Sequence, residues 1–307
     1  MIDPQEFPRF AGIPTFMRTP YEPEPTNIDG DVAFLGIPWD GDSGNRVGTR
    51  YGPRYIRKAS SILRPYNPYT DTNLQDFDIV DNGDVLVVPG EDDQAYENMQ
   101  NRVEQLLDQD VIPAIAGGNH GITLALLRAV ANEYGPVSLV MFDAHSDLGT
   151  SYFGGSIHPP GTFLHFAIEE DLVDPETSIR IGDRGDLYGE EYVDLKEDSG
   201  IDYYTKEEID KRGVQEIADI LEETIEGPTY ATIDIDSIEP GFAPGQSVPQ
   251  PGGLTPQELF TFIRRLQHAD VVGFDHVEVC PPFDDPGDST SILAAHVIHE
   301  ALSAALA

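Results

Sequence analysis

Lysine is almost missing from this chain. Only four lysines occur in 307 residues, and lysine and arginine together number 18 against 55 aspartates and glutamates, which gives a formal net charge of −37 at pH 7. Nucleic acid and anionic membrane surfaces are therefore poor partners. The acidic residues are spread along the chain, so their mutual repulsion weakens the fold at low ionic strength and is screened by salt. We expect a protein from a halophile with a high-salt cytoplasm.

Cysteine is represented by Cys280 alone, which excludes an intrachain disulfide and a cysteine-based zinc site. Because Cys280 follows an apolar run, it is predicted to be a small buried residue and not a nucleophile. No apolar run approaches the length of a membrane span, and the N-terminus carries no basic-then-apolar signal pattern. The sequence indicates a cytoplasmic protein without membrane contact.

What the chain does contain is a regular alternation of strand and helix patterns. Residues 1–30 are rich in proline and aperiodic and are predicted to form an N-terminal arm, whereas residues 31–307 are predicted to form one domain. Alternation without a linker predicts an α/β fold with a mainly parallel sheet. The predicted strands are residues 31–38, two short strands within 79–88, 111–116, 137–142, 178–182, 201–204, 230–236 and 271–279.

Residues 137–147 (VSLVMFDAHSD) organise the functional prediction. An apolar run typical of a buried strand is followed by Asp143, His145 and Asp147, which in an extended chain would point the same way. Ligands of open α/β sheets collect where strands end, so we predict a metal site there. The alternative is a solvated acidic loop, because a chain with this much acid contains Asp-x-Asp pairs by chance.

Two further strand ends favour the metal site. His120 follows a predicted strand and a pair of glycines, and Asp234 and Asp236 lie at i and i+2 in YATIDID. Two carboxylates on one side of an apolar strand are costly to bury unless a cation holds them. The six candidates, two imidazoles and four carboxylates, suit a pair of ions better than one zinc. Such a donor set suits Mn²⁺, with Co²⁺, Ni²⁺ and Zn²⁺ as alternatives, and its charge favours a cationic substrate.

The motifs GGNH, FDAHSD, DIDSIEPGFAPG and PGGLT resemble the signature of the ureohydrolases, the arginase and agmatinase family. AGIPTFMRTPY, NRVGTRYGPRYIRKASS and VEVCPP resemble its agmatinase and guanidino-acid hydrolase branch. The resemblance implies a three-layer α/β/α fold shared with arginases and deacetylases, a single catalytic domain, two Mn²⁺ per chain and a homo-oligomer, trimeric or hexameric. It also implies attack of a metal-activated water on a small cationic guanidino substrate, which releases urea and an amine.

The resemblance assigns roles residue by residue. His120 and Asp147 would hold one ion, and His145 and Asp236 the other. Asp143 and Asp234 would bridge them. Asp147 also counts among the catalytic residues, and Glu278 matches the glutamate that pairs with the substrate guanidinium.

The sequence departs from the family pattern at several points. Asn119 stands where the glycine-rich motif usually has aspartate, and Pro160 takes the place of the loop histidine. His158, two residues earlier, is the candidate catalytic residue for the same space, the alternative being a surface loop residue. The stretch after Asp147 lacks the asparagine that arginases use for the amino-acid end of arginine. This argues against arginase and leaves the substrate tail open.

Other functions remain as alternatives. Hydrolysis of formiminoglutamate would release formamide and would need a basic group for the substrate carboxylates, for which Arg46 and Arg50 are candidates. Deacetylation is disfavoured because that relative keeps one metal with fewer ligands, whereas His120 and Asp147 are both present here. The missing loop histidine motivates a third alternative, a family member that binds metal without turnover.

Overall fold

The computed structural model describes residues 1, 7–24, 26, 28, 30–156 and 160–307. Its strands are β1 (Val32–Gly36), β2 (Tyr66–Asn67), β3 (Thr72–Asn73), β4 (Ile79–Asp84), β5 (Ile112–Ala116), β6 (Ser138–Phe142), β7 (Ile179–Ile181), β8 (Asp202–Tyr204), β9 (Pro228–Asp234) and β10 (Asp270–Val277). Its α-helices are α1 (Gly52–Ser60), α2 (Asp92–Leu107), α3 (Ile122–Tyr134), α4 (Phe163–Glu169), α5 (Glu191–Asp198), α6 (Lys206–Arg212), α7 (Val214–Thr224), α8 (Pro256–Ile263) and α9 (Ser289–Ala305).

Eight strands form one sheet in the order β4-β1-β5-β10-β9-β6-β7-β8, and β2 and β3 form a separate small hairpin. Every neighbouring pair in the large sheet is parallel. The predicted α/β fold with a mainly parallel sheet is therefore confirmed.

The prediction of two short strands within residues 79–88 is wrong. β4 continues through the expected turn, because its residues stay paired with β1 as far as Asp84. The Asp81 carboxylate accepts a local hydrogen bond from the Gly83 amide (3.0 Å) and further ones from the Phe16 amide (2.7 Å) and Arg57 Nε (2.8 Å). The segment before β1 thus ties β4 to the domain. Phe16 is buried and stacks on Phe34 with ring centroids 4.3 Å apart. The division of the chain into arm and domain stays a prediction.

Two apolar cores, one on each face of the sheet, make the fold three-layered. Successive residues of a strand alternate between them: Val140 and Phe142 of β6 enter one core, and Leu139 and Met141 enter the other. Side chains from α1, α6, α7, α8 and α9 complete the first core, and those from α2, α3 and α4 complete the second. Strands covered on both faces need the continuous apolar runs seen in the sequence.

The carboxyl ends of β5, β10, β9 and β6, which are adjacent in the middle of the sheet, place the candidate site. His120 follows β5, Glu278 follows β10, Asp234 ends β9 and Asp143 follows β6. None of the helices in the described ranges is long and apolar enough to cross a bilayer. Cys280 is buried, as predicted, and burial raises the pKa of its thiol to about 12.

Candidate metal centre

Tight backbone packing brings His120 to the end of β5. A Cβ atom on Gly118 would lie 1.6 Å from the Trp39 carbonyl oxygen, so only glycine fits at that position. The chain can therefore turn sharply into α3 with His120 directed toward the neighbouring strands. The His120 backbone amide donates to Glu278 Oε1 at 2.8 Å, which ties β5 to β10 at the site.

The described side chains form two groups that share Asp143. In the first, His120 Nδ1 lies 2.8 Å from Asp143 Oδ2, 3.1 Å from Asp147 Oδ2 and 3.3 Å from Asp234 Oδ2. In the second, His145 Nδ1 lies 3.0 Å from Asp236 Oδ2 and 3.5 Å from Asp143 Oδ1. Asp143 thus turns one carboxylate oxygen toward each histidine, so the six side chains predicted as metal ligands lie together.

Turns, and not the period of a strand, produce this convergence. β6 ends at Phe142, and Asp147 has a left-handed backbone with φ of 49°. β9 ends at Asp234, while Asp236 lies in a short 3-10 turn and donates its amide to Asp234 Oδ1 at 2.7 Å. The expectation that each set would align on an extended face is therefore wrong. The residues still meet because each turn folds over its own strand end.

The arrangement of these nitrogen and oxygen atoms suits metal ligation better than direct hydrogen bonding between the side chains. His120 Nδ1 and Asp143 Oδ2 are buried and close, yet neither has a hydrogen-bonding partner of acceptable geometry among the described residues. Burial, together with the nearby charges of Asp236 and Asp143, raises the pKa of Asp234 well above its ordinary value. Burial and Asp143 likewise raise the pKa of Asp147 to about 6. Carboxylates forced together in this way are stabilised by divalent cations, and their shared oxygen-rich set suits two.

A hydrogen-bonded chain behind His120 orients its ring. His120 Nε2 lies 2.8 Å from Thr232 Oγ1, which donates to Asp275 Oδ1 at 2.6 Å. Asp275 Oδ2 also accepts from the Tyr230 hydroxyl and the Thr123 hydroxyl. With Nε2 as the donor to Thr232, the lone pair of Nδ1 faces the carboxylates. Sequence reasoning missed Thr232, although its position two residues before Asp234 on β9 was the available signal.

Glu278 lies beside this group in a strained left-handed backbone with φ of 64°. Its Oε1 accepts from His120 and its Oε2 accepts from the Ser247 hydroxyl. Burial raises the pKa of the Glu278 carboxyl to about 7. Ser247 thus fixes one oxygen of the Glu278 carboxylate. Asn119 is buried and donates to the Gly41 carbonyl at 2.5 Å, which fixes the loop after β1.

A cavity of about 360 Å³ opens above the two groups. Tyr152, Phe153, Tyr188 and Tyr192 form an aromatic wall, with successive ring centroids 5.5 to 6.1 Å apart. Pro160 also lines the cavity, whereas His158 lies outside the described residues. Among the described residues, the lysine and arginine side chains that line it are Lys196 and Arg184.

Arg184 holds the backbone around the cavity. Its three guanidinium nitrogens donate to the carbonyl oxygens of Gly182, Asp236, Ser237, Gln250 and Pro251. These contacts link the segment after β7 to the turn after β9 and to the loop before α8. All three guanidinium nitrogens of Arg184 are thus hydrogen-bonded to the main chain, and burial lowers the pKa of this group.

An eight-stranded parallel sheet with two Asp–His groups sharing one aspartate defines the class, an α/β protein that can hold a pair of metal ions. The model of the Arginase family matches residues 30–304, and the chain belongs to that family. The predicted membership and the arginase-like fold are confirmed.

Proclavaminate amidinohydrolase of Streptomyces clavuligerus is 37% identical over 305 residues, covering 98% of this chain and 96% of the relative. Its solved structure has a TM-score of 0.89 and covers 97% of this chain and 99% of that one. Guanidinopropionase of Pseudomonas aeruginosa is 37% identical, covering 98% of this chain and 94% of the relative. Guanidinobutyrase of the same organism is 38% identical, covering 97% and 93%.

Proposed function

We propose that this protein hydrolyses a small compound with a cationic guanidino group to urea and an amine with two Mn²⁺ ions per chain. As a member of the arginase family it is a hydrolase of guanidino carbon–nitrogen bonds. The relatives named above bear the names of guanidino and amidino hydrolases. The observation that carries the proposal is Asp143, shared by two Asp–His groups at a cavity that also contains Glu278.

Six side chains would hold the two ions. His120 and Asp147 would hold the first, His145 and Asp236 the second, and Asp143 and Asp234 would contact both. When bound, the ions would supply a water molecule that is reactive near neutral pH. Co²⁺, Ni²⁺ and Zn²⁺ are the competing metals that elemental analysis must distinguish from Mn²⁺.

Glu278 would orient the substrate. Each of its oxygens already accepts one hydrogen bond from the protein, and each retains a second lone pair for a guanidinium N–H group. The two protein donors fix the carboxylate plane, so the guanidinium carbon is held at one position relative to the metal ligands. Asp147, the other residue predicted to be catalytic, lines the same cavity as Glu278. The assignment of His158 to catalysis stays a prediction.

The formiminoglutamate alternative loses its proposed basic groups. Arg46 Nη1 donates to the carbonyl oxygens of Pro244 and Gln246, and Arg50 pairs with Asp40. Neither arginine lines the cavity. The two arginines are thus not available for that substrate, and the names of the relatives favour guanidino hydrolysis.

Urea release tests the reaction. Protein purified in molar KCl without chelator, with added Mn²⁺, should release urea from at least one of agmatine, 4-guanidinobutanoate, 3-guanidinopropanoate or guanidine. Elemental analysis should give two ions per chain. Full metal occupancy without urea from any of them would favour the non-catalytic alternative, and at most one ion per chain would refute the two-ion centre.

We further propose a halophilic cytoplasmic setting, on the basis of the net charge of −37. Thermal melting should shift upward between low and molar KCl, and equal melting temperatures would exclude salt adaptation. We also propose a homo-oligomer, trimeric or hexameric. Exposed Phe10, Ile13 and Phe283 side chains and a groove containing Tyr51 and Tyr55 support this. A monomeric mass by light scattering in molar KCl would contradict it.

A further inference from the structure

We infer that the substrate carries a carboxylate at the end opposite its guanidinium, and that Lys196 binds that carboxylate. This inference rests on the proposed function and names the substrate class, a short guanidino acid. It begins from the scarcity of lysine: one of only four in the chain lines the catalytic cavity with a side chain only 11% exposed.

Lys196 belongs to a buried group with more positive than negative charge. Asp183 Oδ2 lies 2.7 Å from Arg180 Nη2 and 3.0 Å from Lys196 Nζ, so two cations share one carboxylate. Both cations also lie over the Tyr203 ring, 5.2 and 5.5 Å from its centroid. Within the described part of the chain, these two cations have one close carboxylate between them. Of the two residues, Lys196 is the one that lines the cavity.

The ammonium of Lys196 has hydrogen-bonding capacity to spare. It has three N–H donors, and its one close ionic partner among the described residues is Asp183. Arg184, the other basic residue of the cavity, has instead committed all of its nitrogens to backbone carbonyls. A substrate anion would therefore meet Lys196.

The neighbouring wall complements a carboxylate at this end. Tyr192 and Lys196 lie one turn apart on α5 and face the cavity together. Tyr152 and Tyr192 line the same cavity as Lys196, so phenolic groups are available beside it. Asp42 and Asp186 also line the cavity and would suit an amine tail instead. Asp186, however, lies in an exposed loop, whereas the Lys196 side chain is nearly buried.

The test compares two substrates of nearly equal length and opposite tail charge, 4-guanidinobutanoate and agmatine, with Mn²⁺ in molar KCl. The wild-type protein should have the higher kcat/KM for the acid. Lys196→Gln should raise KM for the acid about tenfold or more with kcat changed less than about twofold, and should leave KM for agmatine unchanged or lower. Lys196→Arg should restore most of the affinity for the acid.

Lys206→Gln is the matched control, because Lys206 is 13% exposed, is paired with Asp210 and Glu258, and does not line the cavity. It should leave both substrates unaffected. Equal or better hydrolysis of agmatine by the wild type, or an equal rise in both KM values in Lys196→Gln, would overturn the inference while leaving the proposed function intact. Loss of urea release from every substrate by the wild type would instead refute the proposed function. If the glutamine variant fails to fold, the wild-type comparison still decides whether the substrate carries a carboxylate, and the arginine variant still tests the Lys196 side chain.

Discussion

Replacing Thr232 with valine should weaken the metal centre without touching a metal ligand. Valine has nearly the same shape as threonine, so the main change is the loss of the hydroxyl and its hydrogen bonds. The substitution removes the hydroxyl that lies 2.8 Å from His120 Nε2 and donates to Asp275 Oδ1 at 2.6 Å. Both partners are buried.

The magnitude follows from the two hydrogen bonds that are lost. A buried polar group left without its partner costs about 1–3 kcal/mol, so two such groups should lower the free energy of unfolding by about 3 kcal/mol. Asp275 retains the hydrogen bonds from Tyr230 and Thr123, which limits the loss on its side. His120 loses the contact that fixes its ring, and removal of such a contact typically costs about 10–100-fold in metal affinity.

Two measurements check this prediction. Urea denaturation at constant molar KCl gives the change in stability, and Mn²⁺ titration of metal-stripped protein gives the change in affinity. Thr232→Ser keeps the hydroxyl and should retain most of both quantities. If the valine variant bound both ions with wild-type affinity, the hydroxyl would not orient His120 and the reasoning from this chain of contacts would fail.

Three further predictions concern the ligands and a buried histidine. Asp143→Ala should remove both ions and all activity, because Asp143 belongs to both groups of ligands. Asp236→Ala should retain one ion, because Asp236 belongs to one group only. Two ions per chain in Asp143→Ala, measured by elemental analysis, would contradict the shared role. Glu278→Gln should keep two ions and lower kcat/KM for a guanidino substrate by about 100-fold; unchanged kinetics would exclude its role. Burial lowers the pKa of His276 from 6.5 to about 4. Between pH 6.5 and pH 4 the unfolded chain therefore binds a proton at His276 that the folded chain does not bind. The contribution of this group to the free energy of unfolding is fully present above pH 6.5 and falls by about 3 kcal/mol toward pH 4. His276→Asn should reduce that slope in urea denaturation, and an unchanged slope would assign it to other groups.

The sequence predicted the fold best where an apolar run is followed directly by metal-binding side chains. Apolar runs predicted the strands that carry the site, because a strand covered on both faces must be apolar throughout. It was uninformative about α5, which has no fully buried residue and therefore no marked apolar stripe. Helix α6 is likewise short, although its capping box of Thr205 and Glu208 was a readable signal.

The geometry of the site depended on contacts between distant segments, which no local pattern reports. Ser247 meets Glu278 across 31 positions, and Thr232 meets Asp275 across 43. The positive φ value of Glu278 is also set by tertiary packing, since glutamate does not favour that conformation, whereas aspartate adopts it more readily at Asp147. The set of candidate ligands was therefore available from the sequence, whereas their turns and supporting hydroxyls were not.

The contacts of Arg184 have a consequence for a protein that carries so much negative charge. Its guanidinium holds three separate stretches of main chain through hydrogen bonds to carbonyl oxygens. Mobile ions weaken attraction between exposed charges but scarcely reach such enclosed, short-range bonds. Dilution of the surrounding electrolyte should therefore leave the width of the catalytic opening unchanged until the whole molecule unfolds.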